Sequence, residues 1–151
     1  MRIAATESTE GVGSRALAYF EKQDKSELSD TALAQRARAL TLIGEISNTR
    51  GDLEGALKRY REALASTAEF VRRYPEDPQK LFDHAQNVFW VGYIAWQRGN
   101  LDEATGRFSE YKQLAQQMTA LAPDNNDYRR EGVYANNNLG TVLLEQRRYR
   151  Q

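Results

Sequence analysis

The sequence predicts an all-α fold of stacked helical pairs, and three observations predict it. The first is a step of 48 residues that separates Gly44 from Gly92 and Gly92 from Gly140. The same step relates Leu40 to Val88, Ile43 to Val91 and Leu139, Gly51 to Gly99, Ala56 to Ala104, Tyr60 to Phe108 and Pro75 to Pro123. Leu53, Leu101 and Tyr149 follow it too. A fixed period carried by core-type residues marks one supersecondary unit packed on copies of itself. The second observation is that apolar residues recur at steps of three and four, the helical signature. The third is punctuation: the 3 prolines fall at the ends of periodic stretches, where a residue without a backbone N–H does no harm.

Each element follows from these signals. Residues 1–11 are polar and run into Gly11-Val12-Gly13, which reads as a disordered lead-in or linker. Val12 to Gln23 carries Ala16, Leu17, Tyr19 and Phe20 as a short amphipathic helix, and Asp24–Ser29 breaks it. Ser29 or Asp30 caps the next helix, which reaches about Thr49 with Leu33, Ala37, Leu40, Ile43 and Ile46 on one face. Arg50-Gly51-Asp52 is a tight turn, with glycine suited to the left-handed position and Asp52 to the following N-cap. A helix from Leu53 to about Tyr74 stops at Pro75, and Asp77-Pro78 restarts the chain as N-cap and N1. The third long helix covers 78–98, Gly99-Asn100 repeats the turn, the fourth covers about 101–121, and Pro123 stops it. Asn125 caps a fifth, to about Gln146. The stretch Val88–Trp96, rich in aromatic and β-branched residues, would pass alone for a strand. Its repeat mates, 40–48 and 136–144, are helical in composition, so it reads as a helix buried nearly all round.

Bulk properties narrow the function classes. Lysine plus arginine and aspartate plus glutamate are both 21, so no net field draws the chain to nucleic acid or an anionic membrane. The local basic runs, Arg72-Arg73, Arg129-Arg130 and Arg147–Arg150, read as solvated helix ends. There is no cysteine, hence no disulfide and no thiolate chemistry. No apolar run spans a bilayer or forms a signal peptide, so a cytoplasmic domain without membrane insertion is expected. The single histidine, His84, lacks partners at ligand spacing and reads as a helix-surface residue. No nucleophile–base pair, metal set or cofactor loop converges, so neither catalysis nor a cofactor is expected.

Each unit reads Leu/Ile/Val–Gly, then Gly, then Ala-x-x-x-Tyr/Phe, then Pro: Ile43-Gly44, Gly51, Ala56, Tyr60, Pro75, and again Val91-Gly92, Gly99, Ala104, Phe108, Pro123. Leu139-Gly140 opens a third copy. This resembles the tetratricopeptide repeat, over about residues 30–151. The resemblance implies a right-handed α–α superhelix, a TPR-like solenoid of about three long-helix repeats (30–75, 78–123 and an incomplete 126–151) in one helical domain over 12–151. The period departs from the family's: 48 here against about 34. The difference adds about seven residues to each helix, nearly two turns, and so leaves the same face toward the core. Similar long-helix versions occur in multidomain bacterial signalling proteins. The chain reads as an excerpt of a longer array, with 12–23 as the tail of a preceding helix.

On the third helix, Phe82, Gln86, Phe89, Tyr93 and Trp96 share one face, beside a stripe of Leu81, Ala85, Val88, Gly92 and Ala95. The small stripe suits helix packing. The aromatic stripe falls where the family, by resemblance, lines its concave groove, and rigid rings suit peptide binding. Phe82 and Phe89 read first as gap fillers, while for Tyr93 and Trp96 the core and groove readings both stand. Shifted by one period, Arg38, Thr41, Glu45 and Asn48 on one side and Tyr134, Asn137, Asn138 and Thr141 on the other lie level with the stripe. Asparagine amides can hold a partner's backbone or satisfy one another. Thr41 and Glu45 stand where family members that clamp a carboxylate have Lys and Asn, so that mode is not expected.

The expected function is a non-catalytic scaffold for a protein or peptide partner, with Gln86, Phe89, Tyr93, Trp96, Arg38, Glu45, Asn137, Asn138 and Thr141 as candidate contacts. The alternative is a connector or oligomerisation module. There Tyr134, Leu139, Val142 and Leu143 await a further helix, and the chain hides them as a homodimer. A helical RNA-reading repeat is opposed by the neutral charge.

Overall fold

The computed structural model describes residues 11, 15, 17–19 and 21–150. Among them are five long helices: α1 (Asp30–Thr49), α2 (Leu53–Arg73), α3 (Pro78–Gln97), α4 (Leu101–Leu121) and α5 (Asn126–Tyr149). A single 3-10 turn, Lys25–Glu27, precedes α1. Residues 17–19 are helical, whereas the rest of the lead-in at 1–10, together with Val12, Ala16 and Phe20, lies outside the described residues. Gly11, placed in the lead-in by its neighbours, is helical.

The ends of these helices are set by local chemistry repeated one period apart. Gly51 and Gly99 take φ of 80° and 79°, a conformation that costs glycine nothing. The Gly51 and Asp52 amides donate to the Asn48 and Ser47 carbonyls at 3.0 and 2.9 Å. The Gly99 and Asn100 amides donate to Trp96 and Ala95 at 2.9 Å each. Both turns are therefore the same double C-terminal closure. The next helix starts at once, because Asp52 Oδ1 accepts from the Gly55 amide at 2.9 Å and Asn100 Oδ1 from the Glu103 amide at 3.2 Å. Ser29, rather than Asp30, caps α1, accepting from Ala32. Asp77 and Asn125 cap α3 and α5.

The chain divides into two compact units, Met1–Arg72 and Arg73–Gln151. In the first, α1 and α2 form an antiparallel hairpin. Leu33 meets Phe70 at one end, with Leu28 alongside, and Leu40 and Ile43 meet Ala63 and Leu17 nearer the turn. Gly44 lies under the ring of Tyr60, so close that a β-carbon on it would stand 3.2 Å away. Tyr60 is fully buried, and burial pushes its hydroxyl up to about 12.

In the second unit α4 packs against both α3 and α5. Its core joins Ala95, Ala104, Phe108 and Val142, with Phe89, Tyr93, Trp96, Leu101 and Leu139 around them. Gly92 lies under Phe108 as Gly44 lies under Tyr60. The helices α3 and α5 run side by side in one direction. Phe82 meets Tyr128, Gln86 meets Glu131 and Trp96 meets Glu145, in ascending order along both. Residues 88–96, strand-like by propensity, are helical. Burial between neighbours outweighs an intrinsic preference of under ~1 kcal/mol per residue.

Candidate functional site

The aromatic stripe of α3 does not face open space along its length, because α5 lies beside it. Gln86 Nε2 donates to Glu131 Oε2 at 3.0 Å, and the Tyr111 hydroxyl donates to the same carboxylate. Phe89 is a core residue, stacked on Tyr93 at 5.8 Å and close to Phe108 and Tyr111 at 6.2 and 5.8 Å. Phe82 covers Tyr128. The gap-filling reading of Phe82 and Phe89 thus matches their surroundings.

Tyr93 and Trp96 are placed differently. They meet edge to face at 6.1 Å and line a cleft of about 790 Å³ at the α3–α4 turn. Gly99–Asp102 form one wall and Glu145, Gln146, Tyr149 and Arg150 from the end of α5 the other. The Trp96 indole N–H donates to Glu145 Oε2 at 2.7 Å, and Gln146 Nε2 donates to Asp102 Oδ1 at 2.9 Å. A charge-assisted bond of this length anchors the indole N–H, and the side chain remains partly exposed. The result is a half-open aromatic floor rimmed by two carboxylates and one guanidinium. Such a volume holds a few side chains of an extended segment.

The other candidate contacts lie elsewhere. Arg38 and Glu45 are exposed on α1, in the first unit. Asn138 Nδ2 donates to the Tyr134 carbonyl at 2.8 Å, and Thr141 Oγ1 to the Asn137 carbonyl at 2.9 Å, so both side chains bond to their own helix. Asn137 is exposed beside them. None of these three lines the cleft. The face proposed for a homodimer is also altered. Val142 is fully buried and Leu139 packs on the α3–α4 core, because α4 sits directly against that side of α5. Tyr134 and Leu143 do remain 48% and 46% exposed.

His84 is a correction. It is 7% exposed, not a surface residue, and its Nε2 stands 3.6 Å from Glu110 Oε1 on α4. The Arg107 guanidinium holds the other oxygen at 3.0 Å. Together, the imidazole first and Arg107 next, they hold the Glu110 carboxyl below its ordinary value despite its partial burial. A carboxylate depressed in the folded state adds stability that is fully present above its ordinary value, about 4.5, and drains away as pH falls through the folded value. Glu110→Gln is therefore expected to flatten the acid limb of a plot of Tm against pH, read by circular dichroism between about pH 6 and pH 3. An acid limb as steep as the parent's would mean the cluster does not couple to folding.

Sequence reasoning missed Asp102, Glu131, Glu145 and Gln146, since a carboxylate or amide on a helix surface looks the same whether or not it has a partner. The usable signal was the period: hydrogen-bonded neighbours across α3 and α5 are 45 and 49 residues apart. Among the described residues no group of three metal-ligating side chains occurs, and no helix is long and apolar enough to cross a membrane. No protein-family model matches the chain, and no curated protein is significantly similar to it in sequence.

Proposed function

We propose that this chain is a tetratricopeptide-like helical repeat module that binds an extended segment of a protein partner without catalysis. The observation that carries the reading is the cleft of about 790 Å³ floored by Tyr93 and Trp96. It places two rigid rings, fixed by their own packing and by Glu145, beside groups that can bond a peptide backbone. Rigid aromatic surface binds at low entropic cost, and such residues dominate recognition where they occur. The long-period repeat and its resemblance to bacterial signalling modules support the assignment to an interaction role.

The test is a selection of displayed random peptides on the intact chain. Enriched peptides are expected to lose at least about tenfold in affinity on Trp96→Phe or Glu145→Gln, which leave the core in place. Helical circular dichroism should be unchanged in both. Peptides that bind both variants as well as the parent would remove the cleft from the reading. A second reading, a connector between domains of a larger protein, is favoured by the exposed apolar side of α5, where Val133 and Leu144 are 56% and 61% exposed.

A further inference from the structure

We propose that the Tyr93–Trp96 cleft takes an arginine side chain of the bound segment, its guanidinium lying against the rings and donating to the carboxylates of Asp102 and Glu145. This occupant presupposes that the cleft is a binding site and adds the chemistry the site selects.

The repeat separates these rings from the residues that stacking requires. Side chains that pack one helix on the next recur at the step of 48 residues, as Gly44 does in Gly92 and Tyr60 in Phe108. The counterparts of Tyr93 and Trp96 are Glu45 and Asn48 in the first copy and Thr141 and Leu144 in the third, none of them aromatic. Both rings touch the core of the second unit, yet both stay partly exposed and line the cleft. Their planes stand at 80° with centroids 6.1 Å apart, so together they form a corner. The face of an aromatic ring is the negative side of its quadrupole and attracts a cation, tryptophan most strongly.

Charge narrows the occupant further. Asp102 and Glu145 line the cleft, with Arg150 as the one lining group of opposite sign. Among the described residues neither carboxylate forms an ion pair. Each gives one oxygen to a neighbour, Glu145 Oε2 to the Trp96 indole and Asp102 Oδ1 to the Gln146 amide, which leaves Oε1 and Oδ2 for a further donor. An anionic group entering here meets two like charges, and an aliphatic one brings no donor. Arginine suits the corner better than lysine does. A guanidinium is planar and weakly hydrated, so it stacks on a ring while its edge N–H groups reach carboxylates, whereas an ammonium is a compact, strongly hydrated point charge. Arg150 stands exposed at the rim and pairs with neither carboxylate.

The probe is N-acetyl-arginine methylamide, titrated at low salt into the intact, isotope-labelled chain, with its neutral citrulline analogue and its lysine analogue beside it. The indole N–H resonances report binding, and Trp96→Phe tells that of Trp96 from that of Trp90. A saturable shift of the Trp96 resonance is expected with arginine, a smaller one with lysine and none with citrulline. Glu145→Gln keeps an acceptor for the indole and Asp102→Asn keeps one for Gln146, so both preserve the corner while removing charge. Each should weaken the arginine probe at least about threefold, as should added salt, and Arg150→Gln should tighten it. A citrulline shift equal to that of arginine overturns the proposal, as does no shift up to the solubility of the probe. So does binding that survives both charge-removing variants together. A shift seen only in Arg150→Gln overturns it too, since the chain's own guanidinium would then hold the corner. Displayed peptides that need Trp96 but carry no arginine would remove arginine as the occupant and leave the cleft a binding site.

Discussion

Phe108→Ala is expected to destabilise the chain by about 3–5 kcal/mol, the range for emptying a large aromatic site that neighbours cannot refill. Phe108 is fully buried at the meeting point of three helices. Its ring fills the space over Gly92 and lies 6.2 Å from Phe89. The same core includes Ala95, Ala104 and Val142, whose short or branched side chains cannot swing into the gap. Total stabilities of domains are about 5–15 kcal/mol, so this one change removes a large share. Urea denaturation followed at 222 nm measures it. A loss under about 1 kcal/mol would show that Phe108 is not the anchor of the second unit.

Gly92→Val is expected to cost about 1–3 kcal/mol, while Gly140→Ala, at the matching position one period later, is expected to gain about 0.5–1 kcal/mol. A β-carbon on Gly92 would stand 3.0 Å from Arg107 Cβ and 3.0 Å from Phe108 Cε1, and valine adds two further methyl groups there. Either α3 and α4 separate or the phenylalanine leaves its rotamer. A β-carbon on Gly140 meets nothing within 4 Å, so alanine there only reduces the entropy lost on forming the helix. Opposite signs at two equivalent glycines separate tertiary packing from intrinsic propensity. Equal signs would contradict the close approach of Phe108 to Gly92.

The alkaline limb should respond as well. Tyr60 is pushed up to about 12 by burial, and Tyr111 is raised first by burial and then by the Glu131 carboxylate it bonds. Groups whose folded values exceed their unfolded value of about 10 add stability below that value and lose it as pH rises. Thermal stability is therefore expected to fall above about pH 10, and less so in Tyr111→Phe. A Tyr111→Phe variant as alkali-sensitive as the parent would place the titration elsewhere.

Helix positions were legible in the amino-acid sequence because their ends are decided within a few residues. Gly51 and Gly99 permit a left-handed turn, Asp52, Asp77, Asn100 and Asn125 accept from the free amides behind them, and Pro78 starts a helix without needing a donor. The repeat supplied what local propensity could not, a helix at Val88–Trp96, by setting that stretch beside its mates. The structure adds that two of the repeating glycines, Gly44 and Gly92, lie under the repeating rings of Tyr60 and Phe108, where a missing side chain and a large ring are complementary in volume.

What only the tertiary structure decided was which face of each helix finds a neighbour. His84 and Glu110, Gln86 and Glu131, and Trp96 and Glu145 belong to different helices, and nothing in their local sequence marks them as partners. The side of α5 that carries Leu139 and Val142 turned inward, leaving Val133 and Leu144 outside. The physical reason is range. Caps and turns are satisfied by groups a few bonds away, whereas a helix face acquires its role only when another helix arrives to cover it.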